Sequence, residues 1–394
     1  MKKPYELISL KSPFLLIVFF FIVSRVLLLI VGLVRRDYVK YPSRMVDVTN
    51  EVQYYGKVGT LFHGWDSGWY LQIADKGYPA GIERNSNGTL RQSSYAFFPL
   101  YPSLSHMFAT VLGINLVAVS IIVSNISLLL SGFLIYILTR EKLGERFGLL
   151  VVKFLFLFPI SYIYSAIQSE SLFLCLFLAV FVALERKRFI IAGVAGYLLA
   201  LTRSIGFLVF IPILYESLKF NRRIKKNCWG NWGGMLIATL LPILGILTFV
   251  FYSYARTGDP FIIFKIQEAW GKYLNFNPLV FLSSIDFYRN SYLTFVNGYF
   301  FLVILVCAVY GCRGWKIGYK FIVWIYCIIY LITTTQSWHI FSYPRFVSIL
   351  FPAFFTFAVI AGNSKRNNMI LTLVFIFTQI FMYSYWVNGF PMPI

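Results

Sequence analysis

One aspartate between two tryptophans, in HGWDSGWYLQIADKGY (63–78), has the surroundings to do chemistry. Asp66 can act as a general base, with Trp65 and Trp69 excluding water or stacking on a sugar or lipid head group. It can equally start a helix, because Asp followed by Ser-Gly-Trp-Tyr is a good N-cap sequence. Asp75 lies nine positions on. On a straight helix of about 3.6 residues per turn that is roughly the opposite face, so Asp75 reads as a helix-end residue.

Glu170, in IQSESLFL, opens an apolar run, where the helix dipole favours a carboxylate. Arg203, in LALTRSIGFLVF, is flanked by apolar residues on both sides. Ionisable residues at such depth are more often functional than not; the other reading is an arginine that snorkels or pairs with Glu170. A guanidinium suits a phosphate, since it donates two parallel hydrogen bonds and keeps its charge. His339, Tyr343 and Arg345, in QSWHIFSYPRF, form either an interfacial aromatic belt or a second cluster that holds an anionic group.

Other chemistries lack their patterns. There is no Gly-rich nucleotide loop, no Walker motif and no Asp-x-Asp pair of the kind that holds the metal of a nucleotide sugar. Cys175, Cys228, Cys307, Cys312 and Cys327 lie in or beside apolar runs without metal spacing. Neither a metal nor a cofactor is expected. A donor handled here is better matched by a lipid phosphate than by a nucleotide sugar.

The elements that must position these residues are membrane helices. The 394 residues are 59% hydrophobic and only 13% charged, with a mean hydropathy of +0.72. A soluble surface needs about 25% charge. The expectation is a single all-α polytopic membrane domain over residues 1–394. Eleven spans are expected: 13–34, 115–139, 148–166, 169–184, 189–201, 205–218, 234–255, 292–311, 319–335, 345–362 and 369–388. The pair 189–201 and 205–218 is either a hairpin or one tilted helix. The first stretch is too long for a signal-peptide core and lacks a cleavage site, so it is expected to be retained.

The formal charge of +20 raises the question of nucleic acid. Its distribution answers differently. With the hairpin, the basic clusters near 2–11, 140–146, 185–188, 221–226, 313–316 and 364–366 all fall on one side of the bundle, the cytoplasm. The partners expected are lipid and lipid-linked substrates, with no nucleic acid. The loops 35–114 and 256–291 are then external. Within the first, YAFFPLYPSLSHMFATVLG (95–113) is apolar but interrupted by Pro99 and Pro102. It reads as an interfacial or re-entrant helix.

These motifs together resemble a family. WDSGWYLQIADKGY followed by YAFFPLYPSL is similar to the first external loop of the PIG-V-like mannosyltransferases. SAIQSESLFL, LALTRSIG, SYPRFVSILFPAF and YSYWVNGF match that family's later patterns in order, so the resemblance spans nearly the whole chain. It implies a GT-C membrane glycosyltransferase of about eleven helices. Such an enzyme takes a sugar, usually mannose, from a polyprenyl-phosphate carrier on the external or luminal face. The acceptor would be a glycolipid or lipid-linked glycan. By motif position Asp66 is the implied base, with Arg203 or Arg345 on the donor phosphate and Glu170, His339, Asp75, Tyr343 and the tryptophans in support. The chain departs from the eukaryotic pattern by the longer insertion PAGIERNSNGTLRQSS (79–94), a loop able to cover the acceptor, so the GPI precursor of the eukaryotic relatives is not assumed. Compact size and lysine-rich composition suit a prokaryotic plasma membrane; a eukaryotic source would imply the endoplasmic reticulum. The competing class is a lipid or lipid-linked sugar flippase, which calls for a charged path across the whole bilayer.

Overall fold

The computed structural model describes residues 12–38, 48–223, 229–271, 302–313 and 343–388. The described elements are helices, apart from one isolated bridge between Arg84 and Leu90. Five are long and apolar enough to cross a membrane: Pro13–Arg36, Leu116–Leu143, Ser204–Arg222, Trp232–Thr257 and Lys365–Val387. Phe189–Ala200, Leu302–Gly311 and Pro352–Gly362 are shorter apolar helices. The chain is an integral membrane protein. The expected span 319–335 and the first part of 292–311 lie outside the described residues.

Helix α1 (Pro13–Tyr38) runs into the region expected to be an external loop. There α2 (Val48–Phe62), α3 (Ser67–Lys76) and α4 (Leu100–Leu112) follow. Pro99 and Pro102 do not break α4: they sit at its N-cap and in its first turn, where no intrahelical N–H is needed. Met107, Phe108, Val111 and Leu112 leave its far end apolar and exposed.

Helix α5 (Leu116–Leu143) starts at Asn115, whose side chain accepts from the Val117 and Ala118 amides, and stops at Gly144. It packs on α6 (Glu145–Phe156) and α7 (Glu170–Glu185). The expected span 148–166 is therefore corrected. The helix ends at Phe156, three residues before Pro159, and 157–169 is buried irregular chain containing the short 3-10 turn Ser161–Tyr164. Irregular backbone at membrane depth needs internal partners. Here Arg25, Gln379, Ser124 and Phe62 supply them.

The hairpin alternative holds for 189–218. α8 (Phe189–Ala200) stops, Leu201–Arg203 turn, and a 3-10 segment leads into α9 (Phe210–Arg223). α10 (Trp229–Thr257) lies against α8 at small residues. A Cβ on Gly193 would fall 2.6 Å from the Ala238 backbone, so this approach needs glycine. The expected span 345–362 is two helices, Tyr343–Ser348 and Pro352–Gly362, the second opening on its proline.

The two ends of the bundle differ. Basic loops meet at one end, where Lys142 pairs with Glu185 and Lys187 with Glu216. The opposite end, where α5 and α7 begin, carries α3, α4 and the residues singled out for chemistry.

Candidate active site

The site begins with a tight turn. The Ser67 hydroxyl donates to the Gly64 carbonyl (2.8 Å) and accepts from the Gly64 amide (3.1 Å). Trp65, between them, has φ +52 and is 49% exposed. A left-handed backbone on a bulky residue costs about 1–3 kcal/mol and persists only where its surroundings enforce it. Asp66 occupies the N-cap position of α3, yet its side chain makes no capping hydrogen bond. Its Oδ2 instead accepts from Arg345 Nη1 at 2.6 Å. The sequence left cap and base open; the carboxylate points into a charged cluster, away from the helix end.

Arg345 also faces Glu170, its Nε 3.1 Å from Oε1. That nitrogen is buried and lacks hydrogen-bond alignment. Glu170 in turn accepts from Arg203 Nη1 at 2.7 Å. The result is a chain of alternating charge, Asp66–Arg345–Glu170–Arg203. Side-chain exposure falls from 24% at Asp66 to 8% at Arg345 and 2% at Glu170, then rises to 17% at Arg203. Phe346 lies under both guanidiniums, 5.2 Å from each to the ring centre.

Each member is placed by a different element. Glu170 is the first residue of α7, where the dipole favours its charge. Arg203 sits in extended backbone in the turn after α8, and Arg345 in the short helix Tyr343–Ser348. Tyr70, on α3, shares a 2.8 Å hydrogen bond with Ser169 and so ties Asp66's helix to Glu170's. Burial, reinforced by the Glu170 charge, pushes the Tyr70 phenol well up, so it stays protonated.

The other sequence candidates divide. Trp69 is half-buried, stacked on Phe97 at 5.9 Å and edge-on to Trp270 at 5.8 Å, which places it in an aromatic cluster around α3. Asp75 is exposed near the end of α3, outside the cluster, as expected of a helix-end residue. Tyr343 starts the Arg345 helix, but its side chain, like all of His339, lies outside the described residues. The 79–94 insertion is folded back on α10, with Gly81 donating to the Arg256 carbonyl (3.0 Å) and Arg256 to that of Tyr78 (2.8 Å). Among the described residues no three of His, Cys, Asp and Glu gather to hold a metal.

No family model matches the chain, and no curated protein matches it in sequence. Solved structures do. ArnT from Cupriavidus metallidurans bound to undecaprenyl phosphate superposes with a TM-score of 0.51 at 14% identity, covering 82% of this chain and 62% of that one. The fold is of the GT-C type. The apo state of the same protein gives 0.50 at 13% identity over 84% and 63%. This chain thus spans about three fifths of the length of ArnT. The Archaeoglobus fulgidus oligosaccharyltransferase is more distant, at 0.45 and 10% over 95% and 53%, and no argument rests on it. At these identities the likeness is one of fold.

Sequence reasoning missed three residues that build the site: Ser67, Tyr70 and Ser169. Each is buried in the fold. Tyr70 and Ser67 stand inside the GWDSGWY stretch already singled out. Their partners, Ser169 and Gly64, were the missing information.

Proposed function

We propose that the protein is an inverting glycosyltransferase that moves a sugar from a polyprenyl-phosphate donor to a glycolipid or lipid-linked glycan. The sugar proposed is mannose, from the PIG-V-like motifs. The observation that carries the reading is the Asp66–Arg345 pair, continued through Glu170 to Arg203, at the mouth of a GT-C-type bundle. The ArnT structure that shares this fold was solved with undecaprenyl phosphate.

In the mechanism Asp66 removes the proton from an acceptor hydroxyl. The hydroxyl oxygen attacks the anomeric carbon from the face opposite the phosphate. The bond between that carbon and the phosphate oxygen breaks, and polyprenyl phosphate leaves with the electron pair. Arg345, with Arg203 behind it, stabilises the charge gathering on the phosphate, work that preorganised donors do well in a water-poor site. Arg345 is bound to Asp66. A donor phosphate that takes over this contact frees the Asp66 carboxylate, so base and donor arrive together. Glu170 stays with both arginines and keeps their forks oriented.

The basic end is proposed to face the cytoplasm and the Asp66 end the outside or lumen, as the loop charges favour. A cysteine at position 187, labelled by an impermeant reagent from outside intact cells, would reverse this orientation.

The test of function is purified protein in bilayer discs, given polyprenyl-phosphate-mannose and membrane glycolipids, with products read by mass spectrometry. A product one hexose heavier, formed only with the lipid-phosphate donor, is expected. Robust transfer from GDP-mannose without polyprenyl phosphate would discard the donor assignment.

A further inference from the structure

Trp65 is left-handed although the residue is 49% exposed. Packing of the indole does not account for that backbone. Turn closure does. Ser67 is fully buried, and its hydroxyl uses both its donor and an acceptor on Gly64. The Ser67 amide adds a third bond to the Gly64 carbonyl at 3.0 Å. Gly64 is fixed from the other side, since a Cβ there would come 3.0 Å from the Trp386 ring. Trp386 itself donates to the Leu61 carbonyl at 3.2 Å. The four residues Gly64–Ser67 are clamped between a serine and a tryptophan, with α3 starting directly after Asp66.

We propose that Ser67 is a positioning residue that closes this strained turn and thereby aims the Asp66 carboxylate at Arg345 and the acceptor. The inference rests on the reading of Asp66 as base. Ser67 touches no reacting atom: its three bonds all go to Gly64. Its effect is geometric. Strain held at a site is kept because the site needs the conformation. Displacement of a reacting group by about 1 Å can cost on the order of a hundredfold in rate.

The experiment is a double-mutant cycle in the full-length protein, with polyprenyl-phosphate-mannose and glycolipid acceptor. It uses Ser67→Ala, Asp66→Asn and the pair, with Ser67→Cys as the variant that preserves volume should the alanine protein fold poorly. Ser67→Ala and Ser67→Cys are each expected to lower kcat by about ten- to hundredfold, with donor KM within about twofold, since only the transition-state geometry is lost. In the Asp66→Asn background, removal of the Ser67 hydroxyl should cost nothing further, because the group it aims is already gone. A packing role would instead lower melting temperature and multiply the losses. Multiplying losses, or a Ser67→Cys protein at the parental rate, would overturn the positioning role and leave Asp66 as base. A fully active Asp66→Asn protein would overturn the base reading, and the role of Ser67 with it.

Discussion

Arg25 and Arg345 are both held inside this bundle, and they are held differently. Arg25, midway along α1, bonds to Ser24, Ser161 and Ser165 hydroxyls and to the Phe156 and Ser161 carbonyls. Every one of these partners is neutral. Phe156 is the last residue of α6, where the helix dipole leaves negative partial charge. Gln379, from the helix Lys365–Val387, donates to the same carbonyl and to that of Phe158. Arg25 is therefore a staple that satisfies the irregular chain 157–169. Arg345 faces two carboxylates, one of them 24% exposed at the mouth. A buried arginine in a membrane protein does not by itself mark a site. Charged partners within reach of a ligand do.

The sharpest way to break the contrast is at Asp66. Asparagine is nearly isosteric, so Asp66→Asn should fold yet lose transfer by about 10²–10⁴-fold, the usual worth of a general base. Turnover at saturating donor, with melting in detergent as the folding control, reads this. Binding should move the other way. The parent gives up a charge-assisted bond from Arg345 when phosphate arrives, worth about 1.5–3 kcal/mol gross. Asp66→Asn should then bind polyprenyl phosphate about tenfold more tightly, or about 1.4 kcal/mol. Equal affinity for the two proteins would mean that Asp66 and phosphate do not compete for Arg345.

The arginines themselves come next. Arg345→Lys keeps the charge but loses the planar fork, and transfer should fall by about 10²–10³-fold. Arg203→Lys should be milder, about tenfold, because Arg203 is linked to Asp66 through Glu170 and Arg345. Arg25→Met should behave in the opposite sense. It removes the Arg25 bonds to the Phe156 and Ser161 carbonyls, at about 0.5–1.5 kcal/mol each, while Phe156 still accepts from Gln379 and the Ser161 hydroxyl. Melting temperature should drop while activity per folded molecule stays within about twofold of the parent. If Arg25→Met melts normally and loses turnover, the distinction between staple and site fails.

How much of this was readable from the sequence differs between the two arginines. Asp66, Glu170, Arg203 and Arg345 were all marked by charge next to apolar chain, and the Arg203–Glu170 pair was weighed as an alternative. Their union through Arg345 was not visible, because 279 positions separate it from Asp66. Arg25 carries the same signal as Arg203, an ionisable residue inside a span, and nothing in its local sequence tells a staple from a site. The break at Phe156 also left a trace. Pro159, Ser161, Ser165 and Gln168 are too polar and too irregular for a helix facing lipid. Those residues give up helix so that Glu170 can begin α7 at the mouth, which no local pattern states.

The smallest effect expected separates the cluster from His63, three positions before Asp66. His63 stacks on Tyr55 at 3.9 Å, and its Nε2 is buried without a hydrogen bond. Burial lowers its pKa from 6.5 to about 4, so it is neutral in the folded protein at pH 7. In the unfolded chain it takes a proton near pH 6.5. Between these values the unfolded state binds more protons, so the His63 contribution is complete above about pH 6.5 and is lost as pH falls toward 4. The Asp259 carboxyl, held low by its hydrogen bond from Lys265, adds its own acid limb, and a comparison isolates this one. His63→Phe keeps an aromatic ring against Tyr55 and carries no proton. Its melting temperature should fall less steeply than the parent's between pH 6.5 and pH 4.5, a window inside the span from 6.5 to about 4. Transfer at pH 7 should match the parent, because a neutral ring outside the Asp66–Arg345–Glu170–Arg203 chain adds no charge to it. Parallel melting slopes would mean the ring is open to protons in the fold. A lost turnover with normal melting would bring His63 into the site.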